Sequence, residues 1–234
     1  MKILVACEES QAVTKELRAL GHEAYSCDLL PCSGGHPEWH FNMDVFKVID
    51  NKGGVLQNGK KVKIKGNWDL MIAHPPCTFL AVSGARWYYH PEDNKLPFEE
   101  RRPHPRFPNR AKDREEAIEF FIRLLEAPIE KIAVENPVGI ISTRYRKPNQ
   151  TVHPYQFGDE ASKATCLWLK NLPLLEPTNI VGKGERVVLS SGKSLPKWYS
   201  DALTLSKSAA ERRTMRSKTF EGLAKAMAEQ WTKI

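Results

Sequence analysis

Within its first 28 residues the chain runs from an apolar stretch through an amphipathic one to a second apolar stretch, and that order confines it to few folds. Lys2–Ala6 (KILVA) is short and apolar, and Ala12, Val13, Leu17 and Leu20 follow it at helical spacing. Gly21 stands where a residue just past a helix C-cap is expected. Residues 23–27 then form another short run that closes on Asp28. Strand, helix, strand at this length reads as a βαβ unit, and so as a parallel sheet with covering helices. Residues 68–73 (WDLMIA) and 131–134 (KIAV) read as further buried strands. Between them, residues 113–125 place Ala117, Phe120, Phe121, Leu124 and Leu125 on one helical face. A last helix over 220–231 follows from the spacing of Leu223, Ala224, Met227 and Trp231.

Three segments break this alternation. Residues 54–64 contain Asn58-Gly59 between apolar and basic runs, the signal for a two-residue hairpin turn. Residues 86–114 are rich in Pro, Arg and His, open on Trp87, Tyr88 and Tyr89, and carry eight basic residues against five acidic ones. A loop of that length inside a compact domain is usually functional or mobile. Residues 183–218 hold nine basic residues against three acids, most of the +7 net charge of the chain. Such a balance points to a polyanionic partner, with nucleic acid the first candidate.

With 234 residues, 41% of them hydrophobic, the chain can bury one sizeable core and is too apolar for disorder. No apolar run approaches the ~18–20 residues of a bilayer span. Glu8 and Glu9 come too early for the apolar core of a signal peptide. The five cysteines (Cys7, Cys27, Cys32, Cys77, Cys166) include no CxxC pair. That argues against a disulfide framework and a metal site, and it fits a reducing cytoplasm. The expected assembly is a monomer or weak dimer.

The most informative stretch is His74-Pro75-Pro76-Cys77-Thr78-Phe79-Leu80-Ala81-Val82-Ser83-Gly84. It begins where the WDLMIA strand ends, and ligands bind at the carboxyl ends of parallel strands. Pro-Pro removes two backbone donors and fixes φ, so Cys77 is presented in a rigid, extended geometry. A cysteine nucleophile needs that placement and surroundings that favour thiolate. A lone cysteine is more often a buried structural residue, a reading that suits Cys7, Cys27 and Cys166. Val134-Glu135-Asn136-Pro137 closes the neighbouring predicted strand and turns a carboxylate toward the side of the sheet that bears Cys77. Alone it reads equally well as a strand terminus; the two strand ends together are the stronger signal.

These residues resemble the DNA cytosine-C5 methyltransferases, and among them the short, bacteriophage-type members. Five residues separate Pro76-Cys77 from Ser83-Gly84, as in that family's nucleophile loop. Glu135-Asn136 resembles its Glu-Asn-Val motif, with Pro137 in place of Val. Phe157-Gly158 followed by residues 162–169 (SKATCLWL) looks like its Tyr-Gly…Gln-Ser-Arg-x-Arg strand, with Ala161, Lys163 and Thr165 standing for Gln, Arg and Arg. The similarity reaches to about Leu169 and includes the terminal helix.

The resemblance implies an α/β, Rossmann-like, S-adenosylmethionine-dependent methyltransferase sheet with helices on both faces and a small basic appendage. Residues 1–169 and 217–234 would form the catalytic domain, and 170–216 a reduced target-recognition segment. Cys77 and Glu135 would be catalytic. Cys7, Glu8, Asp28, Asp44 and Pro75 would bind the cofactor, with Asp28 on the ribose hydroxyls and Asp44 on the adenine amino group. Pro76, Ser83, Arg86, Asn136, Lys163 and Thr165 would contact the DNA substrate. In the implied reaction Cys77 adds to cytosine C6, while Glu135, held protonated by a low-dielectric pocket, donates to N3.

The departures from the family pattern keep other readings open. Ala6-Cys7-Glu8-Glu9-Ser10-Gln11 replaces a glycine-rich loop, which leaves room for a non-catalytic DNA-binding protein on this scaffold. His-Pro-Pro-Cys also resembles the Pro-Pro-aromatic motif of amino-methyltransferases acting on N4 of cytosine or N6 of adenine. The short recognition segment leaves open C5 chemistry on free dCMP, or transfer of a group other than methyl.

Overall fold

The computed structural model describes residues 1–217 and 219–233, side chains at 209, 210 and 213 excepted. Lys218 and Ile234, counted in the basic segment and the catalytic domain, lie outside the described residues. In chain order the elements are β1 (Lys2–Ala6), α1 (Ala12–Ala19), β2 (Glu23–Asp28), β3 (His40–Asn42), α2 (Val45–Asp50), β4 (Gly53–Val55), β5 (Lys61–Lys63) and β6 (Leu70–Ala73). There follow α3 (Arg110–Leu125), β7 (Lys131–Pro137), α4 (Ile141–Arg144), β8 (Gln150–Val152) and β9 (Thr165–Lys170). The chain ends with β10 (Arg186–Val188), β11 (Ser194–Pro196), α5 (Lys197–Thr204), α6 (Ala209–Ser217) and α7 (Glu221–Trp231).

Seven strands make the central sheet, in the order β3-β2-β1-β6-β7-β9-β8. From β3 to β7 every pair is parallel. β9 runs against both of its neighbours, so the parallel expectation fails at this one strand. Residues 153–164 hold a single 3-10 turn and no crossover helix, so the chain leaving β8 returns beside it antiparallel.

Side chains alternate across each strand, and the two faces of the sheet feed two cores. Leu4, Ala6, Met71, Ile132 and Trp168 meet Phe46 and Ile49 of α2 and Ile118, Phe121 and Leu124 of α3. Ile3, Val5, Leu70, Ile72 and Leu167 meet Val13 and Leu17 of α1 and Leu223, Met227 and Trp231 of α7. Burial on both faces is why these strands read as unbroken apolar runs.

Two local expectations need correction. The Asn58-Gly59 hairpin closes through three residues, 57–59, because Leu56 N bonds Lys60 O while Gly59 takes φ +88°. A left-handed third position is what a bulged three-residue loop requires. The segment 86–114 is no free loop. Arg102 makes a two-bond fork to Asp93 at 2.9 and 2.6 Å, and Trp87 packs edge-on against His104 and Phe107. α3 starts three residues before the periodicity predicts because Arg110 is drawn inward, its guanidinium between the rings of Phe79 and Tyr88.

β10 and β11 pair antiparallel and lead into α5 and α6, while α7 packs back on α1. Among the described residues no helix is long and apolar enough to cross a membrane. No group of three or more His, Cys, Asp or Glu among them could hold a metal ion.

Candidate active site

The strand order reverses between β1 and β6, and in parallel sheets such a switch point opens a crevice beyond the carboxyl ends of the strands. The turn after β1 contains no glycine, yet Cys7 and Gln11 take φ +58° and +59°. Non-glycine residues in this region cost about 1–3 kcal/mol and persist where their surroundings over-determine them. Here the Gln11 amide donates to His36 O at 2.8 Å and its oxygen accepts from His36 N at 3.0 Å. Glu8 folds away from the crevice: its carboxylate accepts from Val13 N, Thr14 N and Thr14 Oγ1 at 2.6, 3.3 and 2.6 Å. It caps α1 and is 4% exposed, so its side chain does not face a ligand in the crevice, contrary to the expected cofactor contact.

Asp28 is the last residue of β2, and Asp44 stands between β3 and α2. Burial raises the Cys7 thiol well above its ordinary value, and the charges of Asp28, Cys27 and Asp44 push it further. Burial also raises the Asp28 carboxyl, one oxygen of which accepts from Leu30 N at 2.9 Å. Asp44 is the N-cap of α2, accepting from Phe46 N and Lys47 N at 2.9 and 3.1 Å. Leu29 and Leu30 beside Asp28 are 75% and 61% exposed, an apolar surface next to two carboxylates.

Across the switch point, β6 ends at Ala73 and the His74–Leu80 loop begins. Pro75 is buried, Pro76 exposed and Cys77 half-buried. Three attachments hold this loop. Asn136 Nδ2 donates to Pro75 O at 2.9 Å, and Arg110 donates to Thr78 O at 2.7 Å. Leu80 O accepts from Ile140 N at 2.9 Å, next to a bridge between Ala81 and Gly139. Gly139 is obligatory there, since a Cβ would stand 2.1 Å from Leu80 O.

β6 and β7 are paired with Ala73 opposite Val134, which carries the next residues, His74 and Glu135, side by side. His74 Nδ1 lies 3.3 Å from Glu135 Oε2, with the two side chains 11% and 16% exposed. Burial pushes the Glu135 carboxyl up, but the His74 hydrogen bond and the charges of Lys163 and His74 outweigh it and hold the group below its ordinary value. The carboxyl is therefore ionised at neutral pH, which corrects the expectation of a protonated acid. Cys77 goes the other way. Burial and the Glu135 charge raise its thiol, against a smaller pull from Lys163 and Arg216.

The charges of Lys163 and Arg216 act on Cys77 from different parts of the chain, and both side chains rest on one aromatic cluster. Arg216 of α6 lies 4.5 Å above the Tyr199 ring, and Tyr199 stands edge-on to Trp198. Trp198 packs against Phe220 and donates to Ser162 O at 3.1 Å, and Lys163 lies 5.9 Å above Phe220.

The other expected substrate residues are scattered. Thr165 is 2% exposed inside the β7–β9–β8 pairing, so its side chain is not free for a substrate contact. Ser83 and Arg86 are exposed on the 3-10 turn Val82–Trp87, with Arg86 over Trp87 at 4.6 Å. His74, Arg110 and Arg216 were not among the expected site residues. His74 was adjacent in sequence to the Pro-Pro-Cys motif, whereas nothing local marked the other two.

Fold and site together define an α/β protein whose mostly parallel sheet, helices on both faces and crevice at the strand ends are compatible with a Rossmann-like fold. Compared with known protein families and with curated proteins, the chain matches none.

Proposed function

We propose that the protein modifies cytosine at C5 in DNA through a covalent Cys77 adduct, as its resemblance to the C5 methyltransferases implies. The observation that carries this reading is the convergence of Cys77 and Glu135 on adjoining strand ends, close enough for the Glu135 charge to raise the thiol. The basic residues around the site, Lys163 and Arg216 above all, suit a phosphate backbone.

C5 of cytosine is a poor nucleophile until a group adds at C6. Cys77 adds its sulfur there, and N3 must then take a proton. Glu135, ionised at rest, accepts the thiol proton as the sulfur attacks and passes it to N3, so the adduct is neutral and the carboxylate is ionised again. Asn136 and Arg110 hold the loop so that the sulfur meets C6 along a fixed path. In duplex DNA the base has first to leave the stack, at a cost of a few kcal/mol.

S-adenosylmethionine, when bound, supplies the sulfonium methyl that activated C5 takes. The crevice fits this group: Asp28 offers an acceptor for ribose hydroxyls, Asp44 one for the adenine amino group, and Leu29 and Leu30 an apolar surface. Cys7 and Pro75 flank it, and Glu8 acts only by capping α1. After transfer the C5 proton is lost to solvent and the Cys77 carbon–sulfur bond breaks, and the N3 proton returns through Glu135 to the departing sulfur, which restores the thiol and leaves neutral 5-methylcytosine.

Mass spectrometry of nucleosides from DNA exposed to the protein tests this reading. 5-Methylcytosine is the expected product, absent with Cys77→Ser, and 5-fluorocytosine DNA should trap the wild type covalently. N4-Methylcytosine or N6-methyladenine would overturn it, and turnover of dCMP alone would move the substrate from DNA to the free nucleotide.

A further inference from the structure

We propose that His74 is the positioning residue for Glu135, holding one carboxylate oxygen through Nδ1–H so that the other is turned to the pyrimidine. The inference rests on the C5 reading above and deepens it.

An ionised carboxylate only accepts hydrogen bonds, so the 3.3 Å contact between Nδ1 and Oε2 assigns the proton to Nδ1. Nε2 is buried and without a hydrogen-bond partner among the described residues. Buried polar atoms are rarely left unpaired, and those that are tend to have a reason in strain or chemistry. The ring has little freedom. His74 N donates to Ala6 O at 2.9 Å, and the following proline restricts the backbone of His74 itself.

The charged groups around the imidazole come from every neighbouring element. Glu135 faces it from β7, and Glu8, its carboxylate turned onto α1, feels it only as a charge that draws the carboxyl down against a larger rise from burial. Lys163 approaches Glu135 from the segment before β9, and Cys77 sits three residues on, with Arg216 beyond it. His74 thus feels the charges of two carboxylates, opposed by Lys163. A carboxylate free to turn would offer either oxygen to N3 in many orientations; one pinned at Oε2 offers Oε1 alone. The same bond keeps Glu135 ionised, the state in which it can take the thiol proton.

The test compares wild type, His74→Ala and His74→Asn on genomic DNA with labelled S-adenosylmethionine, following kcat, KM and their pH dependence. Asn returns a neutral donor near the Nδ1 position. His74→Ala should lower kcat by about 10²-fold, the scale of an ångström-level misplacement, with KM changed by less than about twofold. Losing both the hydrogen bond and the charge of the imidazole raises the Glu135 carboxyl, so the acid limb of the rate profile should move to higher pH in His74→Ala, and by less in His74→Asn, which gives back the hydrogen bond. Asn should recover most of kcat. Equal loss in both variants, or an acid limb that stays where it is in wild type, would overturn the positioning role. If His74→Ala does not fold by thermal melting, the acid limb of His74→Asn decides alone. Wild type that makes no 5-methylcytosine overturns the C5 reading and this role with it; an active wild type with unmoved limbs in the variants overturns only this role.

Discussion

Asn136 Nδ2 donates to the Pro75 carbonyl across 2.9 Å, joining the strand that carries Glu135 to the loop that presents Cys77. The two residues are 61 positions apart, and this bond is one of three that hold the Cys77 loop in place. Asn136 is 1% exposed, so truncation strands the Pro75 carbonyl away from water. Asn136→Ala should cost about 1–3 kcal/mol by urea denaturation. Turnover should fall further than stability accounts for, by roughly 10²-fold, because the sulfur loses its fixed approach. A variant as active as wild type would show that the loop holds its place without this bond.

Glu135→Gln should lower turnover by roughly 10²–10⁴, the range for losing a general acid or base. Its pH signature follows from direction. The wild-type carboxyl lies below its ordinary value, so activity should persist through mildly acidic pH and fall only as pH drops through that lowered value. Stability carries the same sign: it is present above the ordinary carboxylate range and lost on acidification through the folded value. The raised Cys77 thiol adds a rate that climbs on the alkaline side. A flat profile for wild type between acid and alkali would contradict both assignments.

Segment 86–114 should be anchored well into acid. The Arg102 hydrogen bonds hold the Asp93 carboxyl down at about 2, against an ordinary value of 3.8. The attachment is therefore fully present above that ordinary value and is lost as pH falls toward about 2. Pepsin should leave the segment intact near pH 4 and cut it as the acid limit is approached. Asp93→Asn should open it to trypsin at neutral pH; equal resistance in the variant would mean that the Trp87, His104 and Phe107 cluster suffices.

Arg216 ties the basic appendage to the nucleophile. Arg216→Ala should weaken DNA binding and reduce the salt slope of log K by about 1, as for one phosphate contact. It should also slow adduct formation with 5-fluorocytosine DNA, since the thiol loses one of two charges that favour thiolate. An unchanged salt slope with slower adduct formation would assign Arg216 to the thiol alone.

Legibility in the sequence followed the range of the interaction. The βαβ start, the strand before His74 and the α3 and α7 faces were readable because an unbroken apolar run and a repeat of three to four residues are both local signals. The reversal of β9 was not, because it depends on what connects it to β8, and segment 86–114 hid its order in long-range pairs such as Arg102 with Asp93. Glu8 looked like a crevice residue because it follows β1; only the fold of the next turn shows it capping α1.

The linear order of residues determined that a rigid Pro-Pro-Cys turn and a Glu-Asn pair would each sit at the end of a buried strand, since apolar runs and proline act locally. It also determined the basic excess that marks the appendage. Tertiary structure alone decided that these strand ends adjoin in a register that sets His74 beside Glu135 and brings the charges of Lys163 and Arg216 to bear on Cys77. It thereby decided the charge of the carboxyl. Protonation is set by burial and by partners within a few ångströms, and those partners meet only when the chain is folded.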